Sequence, residues 1–190
     1  MKLIEIPKEF HSDATGEPFD RCVSCGRDLR DPSVHYFIEK AVRNYSRHRT
    51  TDTIFEYAIC FDCYMEVHKS LSEESRERID AYFLRNVNML ARIRLLGETA
   101  TPDMDRWLSR CLIKGVDRCE TSEYQIMCEC LGDRMLLTFA PYLVSAEAMD
   151  EIAGLLSNRT LDALNGFYDD FIGMPPELLP LLKDQPHLIL

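Results

Sequence analysis

Nothing in this 190-residue sequence reads as a membrane span or an export signal. No apolar stretch reaches the roughly 18 residues that a helical crossing needs. The opening MKLIEIPKEFHSDATGEPFD has neither an apolar core nor a small-residue cleavage pattern. The expectation is therefore a chain that is neither secreted nor membrane-spanning. Also absent are G-x-S-x-G, a glycine-rich phosphate loop followed by Lys-Ser or Lys-Thr, and H-E-x-x-H, which would expose a nucleophile, cradle a phosphate or hold a catalytic metal. The five histidines are scattered, so no catalytic residue is nominated. Positive charge is outweighed as well, 22 basic residues against 32 acidic, and the net charge of −10 disfavours general affinity for nucleic-acid backbones. The charge divides unevenly, at +1 over residues 1–50, −3 over 51–98 and −8 over 99–190.

What the chain does have is cysteine, eight residues of it. Without a secretion signal, metal binding or buried thiols explain these better than disulfides, and a cytoplasmic location follows as the expectation. Four of them form two C-x2-C pairs, Cys22 with Cys25 and Cys60 with Cys63, separated by 34 residues. A C-x2-C turn places two thiolates on one side of a metal, and two such turns complete the tetrahedral shell that zinc prefers. Cys22, Cys25, Cys60 and Cys63 are thus the expected ligands of one structural Zn²⁺. Gly26 follows the first pair, where a positive φ lets the backbone fold beneath the metal. Four sulfur ligands leave no open position for water or substrate.

Pattern and punctuation give the rest of the layout. LIEI near the start alternates like a short strand, and Pro7, Gly16 and Pro18 then exclude a continuous helix, making residues 1–19 a lead-in. HYFIEKAVRNY and TIFEYAIC are strand-like, joined by SRHRTTD, and the second cysteine pair runs into the helix-like YMEVHKSL. Ser72 is placed to cap SEESRERIDAYFLRN, whose Ile79, Phe83, Val87 and Leu90 form a stripe expected to face a core. Pro102 follows, so residues 20–98 are read as a zinc-binding unit with a helical extension and 99–190 as an acidic α+β unit. In the latter, EYQIMCEC and RMLLTFA predict a hairpin across LGD, Ser145 and Thr160 are candidate caps for two helices, and Gly173 and Pro175 are stop signals. The Leu178–Leu182 run in the tail is assigned no role.

The order of knuckle, hairpin and helix carrying the second ligand pair, over about residues 20–71, resembles the treble-clef family of zinc modules. The resemblance implies an α+β fold with Cys22, Cys25, Cys60 and Cys63 as ligands and Gly26 as the glycine after the first knuckle. It names no activity, because such modules serve binding, structure and nuclease chemistry alike. Cys111-Leu112-Ile113-Lys114-Gly115 repeats the knuckle's shape with lysine in place of the second cysteine. Residues 99–190 are therefore a candidate degenerate, metal-free repeat, with Thr138–Tyr142 offering no ligand where the second pair is expected. Cys111, Cys119, Cys128 and Cys130 have poor spacing for a second zinc site and read better as buried thiols.

The function expected from all this is that of a zinc-stabilised adaptor or interaction protein without catalytic activity, its partner another protein. The alternative is nucleic-acid binding through a basic hairpin end with Lys40, Arg43, Arg47 and Arg49, beside Tyr36 and Tyr45 as stacking surfaces. A nuclease of the HNH type would need His35 or His48 as base and a second metal whose ligands are not evident. A RING arrangement fails because no second ligand set lies between Cys25 and Cys60.

Overall fold

In a computed structural model, residues 2–45, 48, 50–99 and 102–173 are described. The chain is mixed α+β, built on one six-stranded antiparallel sheet. Strand β1 is Lys2–Glu5, β2 is His35–Tyr45, β3 is Thr50–Cys60, β4 is Glu123–Leu131, β5 is Arg134–Leu137 and β6 is Tyr142–Ser145. The sheet runs β1-β5-β4-β2-β3, and β6 joins the far part of β4 beyond β5. The helices are α1 Phe61–Ser70, α2 Glu73–Asn86, α3 Met89–Glu98, α4 Met104–Trp107, α5 Ala146–Ala153 and α6 Asn158–Phe167, the last continuing into a π-helical turn at Tyr168–Ile172.

The centre of the sheet is the long β2–β4 pair, in register from His35↔Leu131 to Arg43↔Glu123. Residues on both sides of the boundary expected near 99 thus share one sheet, and the lead-in adds its strand to β5. Being central, β2 is buried on both faces, and side chains alternate between them with a period of two. One face carries Phe37, packed on Tyr64 of α1 with ring centroids 4.7 Å apart. On the neighbouring strand Tyr57 meets Phe167 and Phe55 meets Tyr168. The other face takes Tyr36, whose hydroxyl donates to the Gly132 carbonyl at 3.0 Å, and Lys40. Gly132 closes the β4–β5 turn at φ +55°, and a Cβ there would stand 2.8 Å from the Pro32 backbone, so only glycine fits.

The helices start where their caps dictate. The Ser72 hydroxyl accepts from the Ser75 amide at the head of α2. For α6 the cap is Ser157, which accepts from the Thr160 amide, three residues before the expected Thr160. The two helix starts meet, with the Ser72 amide donating to Thr160 Oγ1 at 3.0 Å and the Ser157 amide to Ser75 Oγ at 2.9 Å. The expected apolar stripe is broken. Asn88 caps a new helix, α3, and this turn leaves Ile79 and Phe83 packed on Ile152, Leu156 and Leu164 while Leu90 is 80% exposed. Ser145 stands at the head of α5 without a side-chain cap bond. Among the described residues no helix is long and apolar enough to cross a membrane.

Candidate metal centre and the cleft beside it

The first knuckle is a tight turn held by its own backbone. The Cys22 amide donates to the Arg27 carbonyl and the Gly26 amide to the Cys22 carbonyl, both at 2.9 Å. Gly26 takes φ +70°, the left-handed conformation expected of it. The Val23 amide bonds the Ala58 carbonyl of β3 at 2.8 Å, laying the knuckle across the strand that ends in Cys60. Cys60 is the residue before α1 and Cys63 lies in the helix's first turn, where unpaired amides favour a thiolate.

These elements bring all four expected ligands together. The sulfur atoms of Cys22, Cys25, Cys60 and Cys63 lie within 4.8 Å of one another, the one such group of metal-binding side chains among the described residues. Cys25 and Cys60 have sulfurs 3.8 Å apart. A tetrahedral shell with metal–sulfur bonds of about 2.3 Å has edges of about 3.8 Å, so the donor set fits a metal ion. Burial alone would raise the Cys22 thiol, but amides of Cys60, Cys25 and Ser24 pull it down to about 7, the Cys60 amide standing 3.3 Å from its sulfur. Burial drives Cys60 and Cys63 the other way, upward. Four crowded sulfurs cannot all ionise unless a cation compensates them. Arg27 and Asp62, 2.7 Å apart, tie the knuckle to α1 on the outside.

The second knuckle repeats this bonding with one cysteine, Cys111, of the four. The Cys111 amide bonds the Val116 carbonyl and the Gly115 amide the Cys111 carbonyl, both at 2.9 Å, while the Leu112 amide bonds Leu143 of β6 at 2.7 Å. The Ser145 amide donates to the Cys111 sulfur at 3.3 Å, as that of Cys60 does to Cys22. Ser145 and Ala148 therefore stand where Cys60 and Cys63 stand in the first half. This corrects the expected position at Thr138–Tyr142. Glu129 pairs with Leu136 and Met127 with Tyr142, so two steps along β4 match six along the returning chain, and Thr138–Pro141 bulge out between β5 and β6. Lys114, in Cys25's place, makes an ion pair with Glu151 of α5, joining knuckle to helix where sulfur does so in the first half. Cys128 and Cys130 are buried with sulfurs 3.7 Å apart, and Cys119 is exposed.

The basic hairpin comes out differently from its sequence. Lys40 is only 3% exposed. Its ammonium group reaches the His11 carbonyl at 2.8 Å, Asp13 at 2.6 Å and Glu56 at 3.2 Å, so it belongs to the interior and not to a phosphate-facing patch. A lysine in a strand-like run carries no local sign of this, because its partners come from the lead-in and from β3. Arg43 pairs with Glu123 at 2.7 Å, and Tyr36 is buried. Arg47 and Arg49 lie outside the described residues. His35 pairs with Glu129 at 2.7 Å and stacks on Phe61, while the amide of His48 bonds the Tyr45 carbonyl.

Sequence reasoning missed an open apolar cleft of about 460 Å³ between the sheet and the helices. Its floor is Phe37, Met127 and Tyr142, and its walls include Tyr64 and Val67 of α1, Phe83 and Leu84 of α2, and Leu164 of α6. The metal centre fixes the first turn of α1, and that helix then forms one wall. Leu84, in the cleft wall, is 77% exposed. Comparison with protein-family models, with curated proteins and with solved structures finds no match to this chain.

Proposed function

We propose that this is a zinc-stapled protein-interaction module of the cytoplasm, built on a treble-clef-like unit and a degenerate, metal-free copy of it, with no catalytic role. The observation that carries the interaction reading is an open apolar cleft with Leu84 of its wall 77% exposed. Isolated apolar side chains on a surface are ordinary, but large ones clustered at an open apolar cleft mark a contact surface. Zinc is the favoured metal because an all-thiolate tetrahedral set suits it and closes the shell. Knuckle, hairpin and a helix begun by the second ligand pair supply the treble-clef order, and the matching bonds around Cys111 support the repeat. None of the eight cysteines is in a disulfide, which agrees with a reducing compartment. Nucleic-acid binding is the weaker reading, since Lys40 is buried and Arg43 is paired.

The test is a photo-crosslinking side chain placed at Leu84 of the full chain in its native cell. A discrete adduct with another protein, lost when Met89 of the cleft lining is changed to Asp, supports the reading. No protein adduct beyond background would end it.

A further inference from the structure

We infer that Cys25 is an oxidative modification site, the sulfur at which hydrogen peroxide attacks the metal centre and releases its ion, and this rests on the zinc reading above. The four ligand cysteines are unequally shielded. Cys22 and Cys60 are buried and Cys63 is half-buried, while Cys25 is exposed. Amides also point at the Cys22 sulfur, that of Cys60 from 3.3 Å, and such bonds draw off the electron density with which sulfur attacks. Among the described residues no amide donates to the Cys25 sulfur, whose contact is the Cys60 sulfur at 3.8 Å. A cysteine that ligates a metal is already a thiolate, so exposure decides which of the four an oxidant meets first. Cys119 is exposed as well, but among the described residues no second sulfur stands beside it, so it lacks the partner that Cys25 has.

The Cys25 sulfur attacks one peroxide oxygen, and an S–O bond forms as the O–O bond breaks. The hydroxide that leaves takes a proton from solvent and departs as water. The Cys60 sulfur then attacks the sulfenic acid at Cys25, an S–S bond forms as the S–O bond breaks, and a second hydroxide leaves as water in the same way. The thiolate pair is oxidised by the electron pair that reduces the peroxide. To make this bond the sulfurs close from 3.8 Å to about 2.05 Å. Cys22 and Cys63 alone do not complete a tetrahedral shell, so the ion is lost. The loss reaches the cleft, because Cys60 immediately precedes α1 and Tyr64 and Val67 of that helix form part of the wall. A thiol reductant reverses the disulfide by exchange.

The test uses the full chain, its bound zinc counted first, and adds hydrogen peroxide while a chromophoric chelator reports the zinc set free. Release is expected together with the loss of about two thiols per ion and a peptide map that joins Cys25 to Cys60, and dithiothreitol with fresh zinc should restore the count. Cys25→His keeps a four-ligand shell without the exposed sulfur, and should release zinc about tenfold more slowly. Cys119→Ser should release it at the parent's rate, a comparison that stands even where Cys25→His does not fold. Zinc retained at a peroxide concentration that oxidises Cys119, a disulfide that omits Cys25 or Cys60, slower release from Cys119→Ser, or release from folded Cys25→His as fast as from the parent would each overturn the inference. All of these leave the zinc reading standing, since the ion is counted beforehand, whereas a chain that holds no zinc before peroxide is added would end both.

Discussion

Cysteines placed around the second knuckle should create a metal site. The perturbation is Lys114→Cys, Ser145→Cys and Ala148→Cys together, which with Cys111 copies the four-sulfur set onto equivalent positions. The costs can be worked from the structure. Lys114 loses its ion pair with Glu151, and a pair so open to solvent contributes little. Ser145 and Ala148 are fully buried, and enlarging Ala148 by a sulfur costs about 1–3 kcal/mol of overpacking. A structural zinc site returns roughly 10 kcal/mol or more when it binds. The variant should therefore be less stable than the parent in chelator and more stable in zinc. Plasma mass spectrometry on folded, reduced protein should count two zinc ions per chain against one in the parent, with thermal unfolding followed in both conditions. A folded variant that still holds a single zinc would refute the equivalence of the two halves.

Other outcomes follow from the buried charges. Lys40→Met leaves Asp13 and Glu56 without their cation and should cost about 3–5 kcal/mol in denaturant unfolding, while Lys40→Met with Glu56→Gln should recover part of that loss. Burial raises the Glu56 carboxyl, but amides of Asp13 and Ala14, the Ser12 hydroxyl and Lys40 together hold it below its ordinary 4.5. Its stabilising effect is therefore full above pH 4.5 and lost as pH falls through the lower folded value. Acid unfolding followed by circular dichroism should show this loss, and Glu56→Gln should flatten the pH dependence below 4.5. Cys111→Ser weakens the sulfur bonds to the Ser145 and Lys114 amides and should cost about 1–3 kcal/mol with zinc content unchanged.

What was legible in the sequence was local. The two C-x2-C pairs, the strands around them, the glycine after the first knuckle, the cap at Ser72 and the hairpin turned at Gly132 each rest on residues a few positions apart. Pairings across the chain were not legible. The β2–β4 register joins residues about 90 apart, and burial of Lys40 depends on Asp13 and Glu56 arriving from separate elements. Asn88 was available as a cap signal that would have ended the helix before Leu90. The β6 strand was hidden by the Thr138–Pro141 bulge, which shifted the second-half positions equivalent to Cys60 and Cys63. The cleft had no sequence signature, because its lining is drawn from β2, β4, β6 and five of the helices.

The most direct test of the account is the metal content of the purified, reduced full chain beside that of Cys60→Ser. One tightly held zinc per chain is expected in the parent, and loss of that zinc with unfolding of the N-terminal half is expected in the variant. A parent that holds less than one equivalent after growth in zinc, or a Cys60→Ser chain that keeps both zinc and fold, would contradict it.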